Sequence, residues 1–324
     1  ARLRAAAAAA GLRVAAAPTT AHRGLLAELQ LLPLEAPAAR ASGPWPAREE
    51  LDLEDGAAPL VVLFTSGSTG APKAVELGHR AVLGNLVYMA QAYNYGPGDH
   101  ALVQTSLGWV AHLPEAWAPL LGGAALVPRG SSASLGGPDP EVTLAMFTPS
   151  MFRALLAGDH VPRSLRLLIL TGEPMPADLV RELRAQAPSL WLVNHYGQTE
   201  AVDTSTALVL APRDPAPSAA VAPVGEPIWW RACLVESLAA GGEGELLVAG
   251  PVGRYLDAES DQRTFGEVLA GGRLRRAART GDIVRWVGAA RGGFVCLGRK
   301  DAQVKVHGQR LDLAEIEAVL RRAG

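Results

Sequence analysis

Between residues 101 and 193, short apolar runs alternate with helical stretches, and few folds accept that order. The runs are Ala101-Leu102-Val103, Ala125-Leu126-Val127, Leu144-Ala145-Met146-Phe147, Leu167-Leu168-Ile169-Leu170 and Leu190-Trp191-Leu192-Val193. Residues 114–121, 150–157 and 176–186 carry helical spacing between them, as do residues 79–92 ahead of them. Strands alternating with helices predict an α/β fold with helix-covered, largely parallel β-sheets.

The flanks read differently. Residues 2–10 are good helix sequence, Gly11 can end that helix, and residues 12–15 can follow as a strand. An Ala/Arg-rich start also suits a transit peptide, but helix followed by strand fits the α/β layer better. Residues 34–58 are rich in Pro, Ala and acidic side chains and read as a long connection. Composition shifts to Pro, Ala and Ser at residues 212–223. Beyond it, residues 245–248, 282–286 and 293–297 read as strands of a smaller β-rich subdomain. A charged connector from Gly298 leads to a strand at 303–306 and a helix from Leu313. The expected division is 1–211 for the α/β core, 212–297 for the β-rich subdomain and 298–324 for the start of a small C-terminal α+β lobe. Both ends read as cut, as in a fragment.

A chain of 324 residues with 49% hydrophobic side chains can bury a large core. Its formal net charge of -2 gives no electrostatic case for nucleic acid or an anionic membrane surface. No apolar run reaches membrane-spanning length, and the expected location is cytoplasmic. Cys233 and Cys296 lack metal-ligand spacing and are expected to be buried small hydrophobes without a disulfide.

The chemistry is concentrated in three segments. The first is Thr65-Ser66-Gly67-Ser68-Thr69-Gly70-Ala71-Pro72-Lys73, directly after the apolar run 60–64, which is expected to be a buried strand. Glycine lets backbone approach oxygen atoms, and N–H groups with a nearby cation hold phosphate. Ala71-Pro72 separates Gly70 from Lys73, so this is not a Walker loop. A Ser/Gly loop taken alone reads as easily as a mobile surface turn. The second segment, Asn194-His195-Tyr196-Gly197-Gln198-Thr199-Glu200, reads as a loop at the carboxyl end of a strand, where open α/β sheets bind ligands. The third runs from Arg279-Thr280-Gly281-Asp282 to Gly298-Arg299-Lys300-Asp301 and Gln303-Val304-Lys305.

In order and spacing these segments resemble the adenylate-forming enzymes: acyl-CoA synthetases, luciferases and peptide-synthetase adenylation domains, with the hinge segment favouring the last. The resemblance spans residues 60–320. It implies ATP-dependent activation of a carboxylic acid as an acyl-adenylate, with Mg2+ and release of pyrophosphate. The acyl group would pass to a carrier-protein pantetheine thiol, or alternatively to CoA; a catalytically impaired nucleotide-binding scaffold is a third reading. A small carboxylic acid and a carrier protein are the implied partners.

The resemblance also implies residue roles. Thr65, Ser66, Gly67, Ser68, Thr69, Gly70, Lys73 and Thr199 would meet phosphate, with Lys73, Thr199 and Glu200 catalytic and Glu200 on Mg2+. Tyr196 would stack on adenine beside Gly197, with Asn194, Gly172 and Glu173 near it. Asp282 and Arg299 would lie at the ribose, and Asp301 would be the hinge between two half-reactions. The acid pocket would be lined by Val110, Ala111, Pro114, Met146, Ile169, Thr171, His195, Asp203 and Thr204. His195 and Asp203 read equally well as loop polar residues facing solvent.

Two departures matter. The family's adenylating lysine lies beyond the end of this sequence, and Lys305 is a different lysine. Amino-acid-activating members place an Asp where this chain has Val110. Burying an α-ammonium without a partner is costly, so the expected substrate lacks an α-amino group. Asp203 could hold an amino group at another position.

Overall fold

The structure, a computed structural model, describes residues 58–65, 72–128, 142–157, 161–229, 231–237, 242–289 and 292–301, with four short strands at the chain ends described as backbone. Two of these, β1 (Val14–Ala16) and β2 (Gln30–Leu32), pair in parallel. The helix read at 2–10, the connection at 34–57, residues Ser66 to Ala71 and the helix from Leu313 lie outside the described residues.

The strands are β3 (Pro59–Thr65), β4 (Lys73–Gly78), β5 (His100–Val103), β6 (Ala125–Pro128), β7 (Leu144–Phe147), β8 (Leu167–Thr171), β9 (Trp191–Gln198), β10 (Asp203–Leu210) and β11 (Glu226–Pro227). The helices among them are α1 (His79–Ala92), α2 (His112–Leu121), α3 (Pro149–Leu156) and α4 (Ala177–Gln186). The main sheet has the order β11-β10-β9-β8-β7-β5-β6. Strands β9, β8, β7, β5 and β6 run parallel, whereas β10 pairs antiparallel with β9 and β11 antiparallel with β10. All of β7 and β8 is buried, as continuous apolar runs in a sheet covered on both faces require. Side chains alternate across the pleat. Leu167, Ile169 and Val193 join one core with Val82, Leu86 and Met89 of α1. Leu168, Leu170 and Leu192 join another with Leu179, Val180 and Leu183 of α4. Thr148 caps α3, its Oγ1 accepting from Met151 N at 3.2 Å, with Pro149 in the first turn, where its missing N–H costs nothing.

The second sheet is antiparallel: β12 (Ala232–Ser237), β13 (Glu243–Ala249), β16 (Arg273–Trp286) and β15 (Phe265–Ala270), with β17 (Phe294–Arg299) on β16. A third joins β3, β4 and β14 (Arg254–Tyr255), and α5 (Ala258–Thr264) follows it. The C-terminal pair β18 (Gln303–Val306) and β19 (Gln309–Asp312) forms a hairpin.

Several expectations need correction. The run 60–64 is not a fully buried strand: β3 is the outer strand of a three-stranded sheet, and only Leu63 is buried. Asn194 to Gln198 is not a loop but the second half of β9, because β10 returns antiparallel along it and satisfies its backbone. Neither cysteine is fully buried. Cys233 is half-buried and Cys296 exposed on β17, which the sheet pairs on one side; both are free. Pairing of β14 with β4 also carries one sheet across the expected boundary at residue 211.

Candidate active site

A cavity of about 480 Å³ opens where the parallel strands end at their carboxyl termini. Its wall takes Thr65 from β3, Val110 and Ala111 after β5, Met146 from β7, Thr171 and Gly172 at the end of β8, and Gly197 from β9. Thr199, Glu200 and Asp203, on the turn into β10, complete it. Chains that leave a parallel sheet diverge at these ends, which is why open α/β sheets form crevices there.

The turn from β9 to β10 is tight. Thr199–Ala201 is a single 3-10 turn, followed by Val202 at φ 60° and Asp203 at φ 66°. A β-branched residue in the left-handed region costs of the order of 1–3 kcal/mol, so surrounding contacts must hold it there. Three of them fix successive carbonyls. Gly253 N donates to Glu200 O at 2.9 Å. Arg231 Nη2 donates to Ala201 O at 2.7 Å. Asn85 Nδ2, from α1, donates to Val202 O. Gly197 then admits the turn: a Cβ at that position would lie 1.3 Å from Asp203 O. Gly197 lies on the cavity wall and also serves as the seat of this turn.

Glu200 is 1% exposed, and the Tyr255 hydroxyl donates to its Oε1. Tyr255 Oη also lies 3.4 Å from Thr65 Oγ1, and Lys73 Nζ sits 5.9 Å from the Tyr255 ring centroid. Pairing of β14 with β4 therefore carries both ends of the first segment to Glu200. Thr65 and Lys73 are cross-strand partners, and Ser66, Gly67, Ser68, Thr69 and Gly70, which follow Thr65 in sequence, lie outside the described residues.

His195 and Asp203 are buried rather than solvent-facing, and Thr204 is buried with His195 behind the wall. Thr204 Oγ1 donates to Asp203 Oδ2 at 3.0 Å and lies 3.1 Å from His195 Nδ1. His195 Nε2 is 2.5 Å from the Tyr93 hydroxyl. Burial pushes the His195 pKa down to about 3, so the ring is neutral at physiological pH. Asp203 itself is 7% exposed and reaches the cavity.

A separate knot joins Tyr196 of β9 and Asp282 of the second sheet to residues 299–301. Tyr196 donates to Asp282 Oδ2 at 2.5 Å, and Arg299 Nη1 donates to Asp282 Oδ1 at 2.9 Å. Arg299 also pairs with Asp301 through two bonds of 2.7 Å. Burial opposes the charge on Arg299, but the carboxylates of Asp301 and Asp282 outweigh it and raise its pKa. Glu245, 2% exposed, accepts from Gly281 N at 2.9 Å and Lys300 Nζ at 2.5 Å, so it ties the turn before Asp282 to Lys300.

The remaining expected residues divide. Glu173 accepts from Ser150 N at 3.0 Å and Ser150 Oγ at 2.8 Å, at the start of α3. Asn194 is buried and donates to Pro223 O at 2.8 Å. Pro114 and Ile169 line a much smaller void of about 10 Å³, which shares Met146 with the main cavity. The large cavity's wall does not include Asn194, Tyr196, Asp282 or Arg299. Glu115 supports the wall from outside: it accepts from Gln104 N at 3.1 Å and Thr105 N at 2.8 Å, and burial raises its pKa.

Sequence reasoning assigned no role to Asn85, Tyr93, Tyr255 or Glu245. One signal was legible: Asn85 is a polar residue among the apolar positions 82, 86 and 89 of a helix. Tyr255 and Glu245 carried no such signal, because their partners are far away in sequence.

A family model described as AMP-binding enzyme matches residues 4–254. Vanchrobactin synthetase VabF from Vibrio anguillarum is 33% identical over 86% of this chain and 11% of its own length. Syringomycin synthase SyrB1 from Pseudomonas syringae pv. syringae is 33% identical over 85% of this chain and 47% of its own. The chain thus spans less than half of either relative. Among solved structures, holo-PA1221, an NRPS protein containing adenylation and PCP domains bound to a vinylsulfonamide inhibitor, superposes with a TM-score of 0.79 at 28% identity. That match covers 100% of this chain and 57% of the other.

Proposed function

This chain belongs to the AMP-binding enzyme family, and from that membership we propose that its cavity binds ATP and a carboxylic acid and joins them as an acyl-adenylate, releasing pyrophosphate. The observation that carries the reading is the meeting of Thr65, Lys73 and Glu200 around Tyr255 at the carboxyl edge of the parallel sheet.

In this reading the carboxylate of the acid attacks the α-phosphorus. Bringing two anions together sets much of the barrier, so catalysis rests on positioning and on charge stabilisation. Lys73 supplies positive charge at the end of the phosphate hairpin, and Thr199 supplies a hydroxyl on the cavity wall. No cluster of three or more His, Cys, Asp or Glu suited to a metal occurs among the described residues. Mg2+ takes one or two carboxylates and completes its shell with phosphate oxygens and water. Glu200 is the carboxylate that would hold it, with Tyr255 fixing its orientation. When bound, Mg2+ would neutralise phosphate charge. Asp282 and Arg299 would receive the ribose, with Tyr196 and Asn194 toward the base and Gly172 and Glu173 near it.

Val110 and Ala111 give the acid an apolar wall, which favours a substrate without an α-ammonium. Asp301, paired with Arg299, is the proposed pivot about which residues 298–324 turn before the acyl group passes to a carrier-protein thiol. The likeness to holo-PA1221, an NRPS protein containing adenylation and PCP domains, supports a carrier protein over CoA as acceptor. No described helix is long and apolar enough to cross a membrane, and we place the reaction in the cytoplasm.

The test is thermal denaturation with and without ATP and Mg2+. A ligand at 100 times its Kd stabilises by about 2.7 kcal/mol, a shift of several degrees. Asp282→Ala should shrink that shift. An unchanged Tm in millimolar ATP and Mg2+ would overturn the reading.

A further inference from the structure

Four side chains form a hydrogen-bond chain that runs from the end of α1 to the cavity. Tyr93 caps α1, and its hydroxyl meets His195 Nε2 at 2.5 Å. His195 Nδ1 meets Thr204 Oγ1 at 3.1 Å, and Thr204 Oγ1 donates to Asp203 Oδ2 at 3.0 Å. A hydroxyl has one proton. Because Thr204 spends its proton on Asp203, it must accept from His195, which puts the imidazole proton on Nδ1. His195 Nε2 is then an acceptor, and Tyr93 donates to it. Every bond in the chain points the same way, and the last acceptor is a carboxylate on the cavity wall.

Three further observations bear on this arrangement. The chain is anchored: Arg166 donates to Tyr93 O at 3.2 Å and grips Asp99 through two bonds of 2.6 Å. The terminal carboxylate sits at a left-handed residue beside a second one, a backbone that surrounding contacts must hold in place. Among the described residues of the cavity wall, the charged side chains are Glu200 and Asp203, both acidic. Val110 and Ala111 on the same wall are apolar.

We propose that Asp203, aimed by the Tyr93–His195–Thr204 chain, is the receptor for a positively charged group that the acid substrate carries away from its reacting carboxylate, so that the substrate class is an acid with a distal ammonium. The proposal deepens the acid-activating reading and rests on it. A carboxylate fixed in a half-closed pocket repels a substrate that brings only negative charge and attracts one that brings a cation to it. A neutral imidazole with a fixed tautomer adds direction without adding a competing positive charge. Tyr93, which does not touch the cavity, is a positioning residue.

The experiment is calorimetric titration of the full chain with ω-amino acids from β-alanine to 6-aminohexanoate. Each is paired with the neutral acid in which methyl replaces ammonium, and 2-aminohexanoate serves as the α-amino control. At least one ω-amino acid should bind about tenfold or more tightly than its neutral partner. Asp203→Asn should bring that ratio to about one, and Tyr93→Phe should lower it severalfold at unchanged affinity for the neutral acid. A merely structural role for Tyr93 would weaken both members of the pair alike. Neutral acids binding as well as every ω-amino acid, a ratio that survives Asp203→Asn, tighter binding of 2-aminohexanoate, or no acid binding while ATP still raises Tm would each overturn this inference alone. Loss of the ATP response itself would overturn the underlying reading and this inference with it.

Discussion

Replacing Gly197 by alanine tests whether the turn that carries Glu200 and Asp203 is seated as described. The added Cβ would lie 1.3 Å from Asp203 O, 2.5 Å from Asp203 C and 3.1 Å from Ser205 N. All three are backbone atoms, so no side-chain rotation relieves the clash. Separating the methyl from that oxygen to ordinary contact requires roughly 2 Å of movement between β9 and β10. The ladder at this point pairs Gly197 with Thr204 and Gln198 with Asp203. Overpacking alone costs about 1–3 kcal/mol, and each buried hydrogen bond left unmade adds about 1–3 kcal/mol. The expected loss is therefore about 3–6 kcal/mol, read as a fall of about 6–15 °C in Tm for a chain of this size. The control is Gly266→Ala in β15, where nothing lies within 4 Å of the new Cβ and the effect should stay within about 0.5 kcal/mol. Differential scanning calorimetry of the two variants beside the parent decides the matter. A Gly197→Ala protein as stable as Gly266→Ala would refute the seating of the turn, and with it the assignment of Asp203 to the cavity wall.

Two other consequences can be measured in the same way. His195 protonates near 6.5 when unfolded and near 3 when folded, so below about pH 6.5 the unfolded state takes up the proton first and stability falls as pH falls. His195→Gln should remove a slope of about 1.4 kcal/mol per pH unit between roughly pH 6 and 4, and parallel denaturation profiles for parent and variant would sink the neutral-imidazole argument. Tyr255→Phe deletes the donor to the buried Glu200 and should cost about 1.5–3 kcal/mol. It should also shrink the part of the ATP-induced shift that EDTA abolishes; an unchanged EDTA-sensitive part would remove Tyr255 from the site.

The alternating runs at 101–193 were enough to specify the parallel strands, and residues 79–92 to specify α1 to the residue, because local periodicity of 2 or 3.6 is written in adjacent positions. The segments carrying Thr65, Lys73, Glu200 and Asp282 were likewise legible, since their small, charged and glycine residues are contiguous. What the sequence could not supply is which residues come to meet them. Tyr255 reaches Glu200 across 55 positions, Tyr93 reaches His195 across 102 and Asn85 reaches Val202 across 117. Strand pairing had the same limit: Asn194 to Gln198 read as a loop until β10 supplied their hydrogen-bond partners, and β3 read as buried until the sheet left it at an edge. Local pattern sets what each segment can become. Burial, ionisation and the direction of each hydrogen bond depend on neighbours that only the folded chain brings within a few ångströms, so the tertiary structure alone decided that His195 is neutral, that Gly197 is a seat for the turn, and that Asp203 faces the cavity.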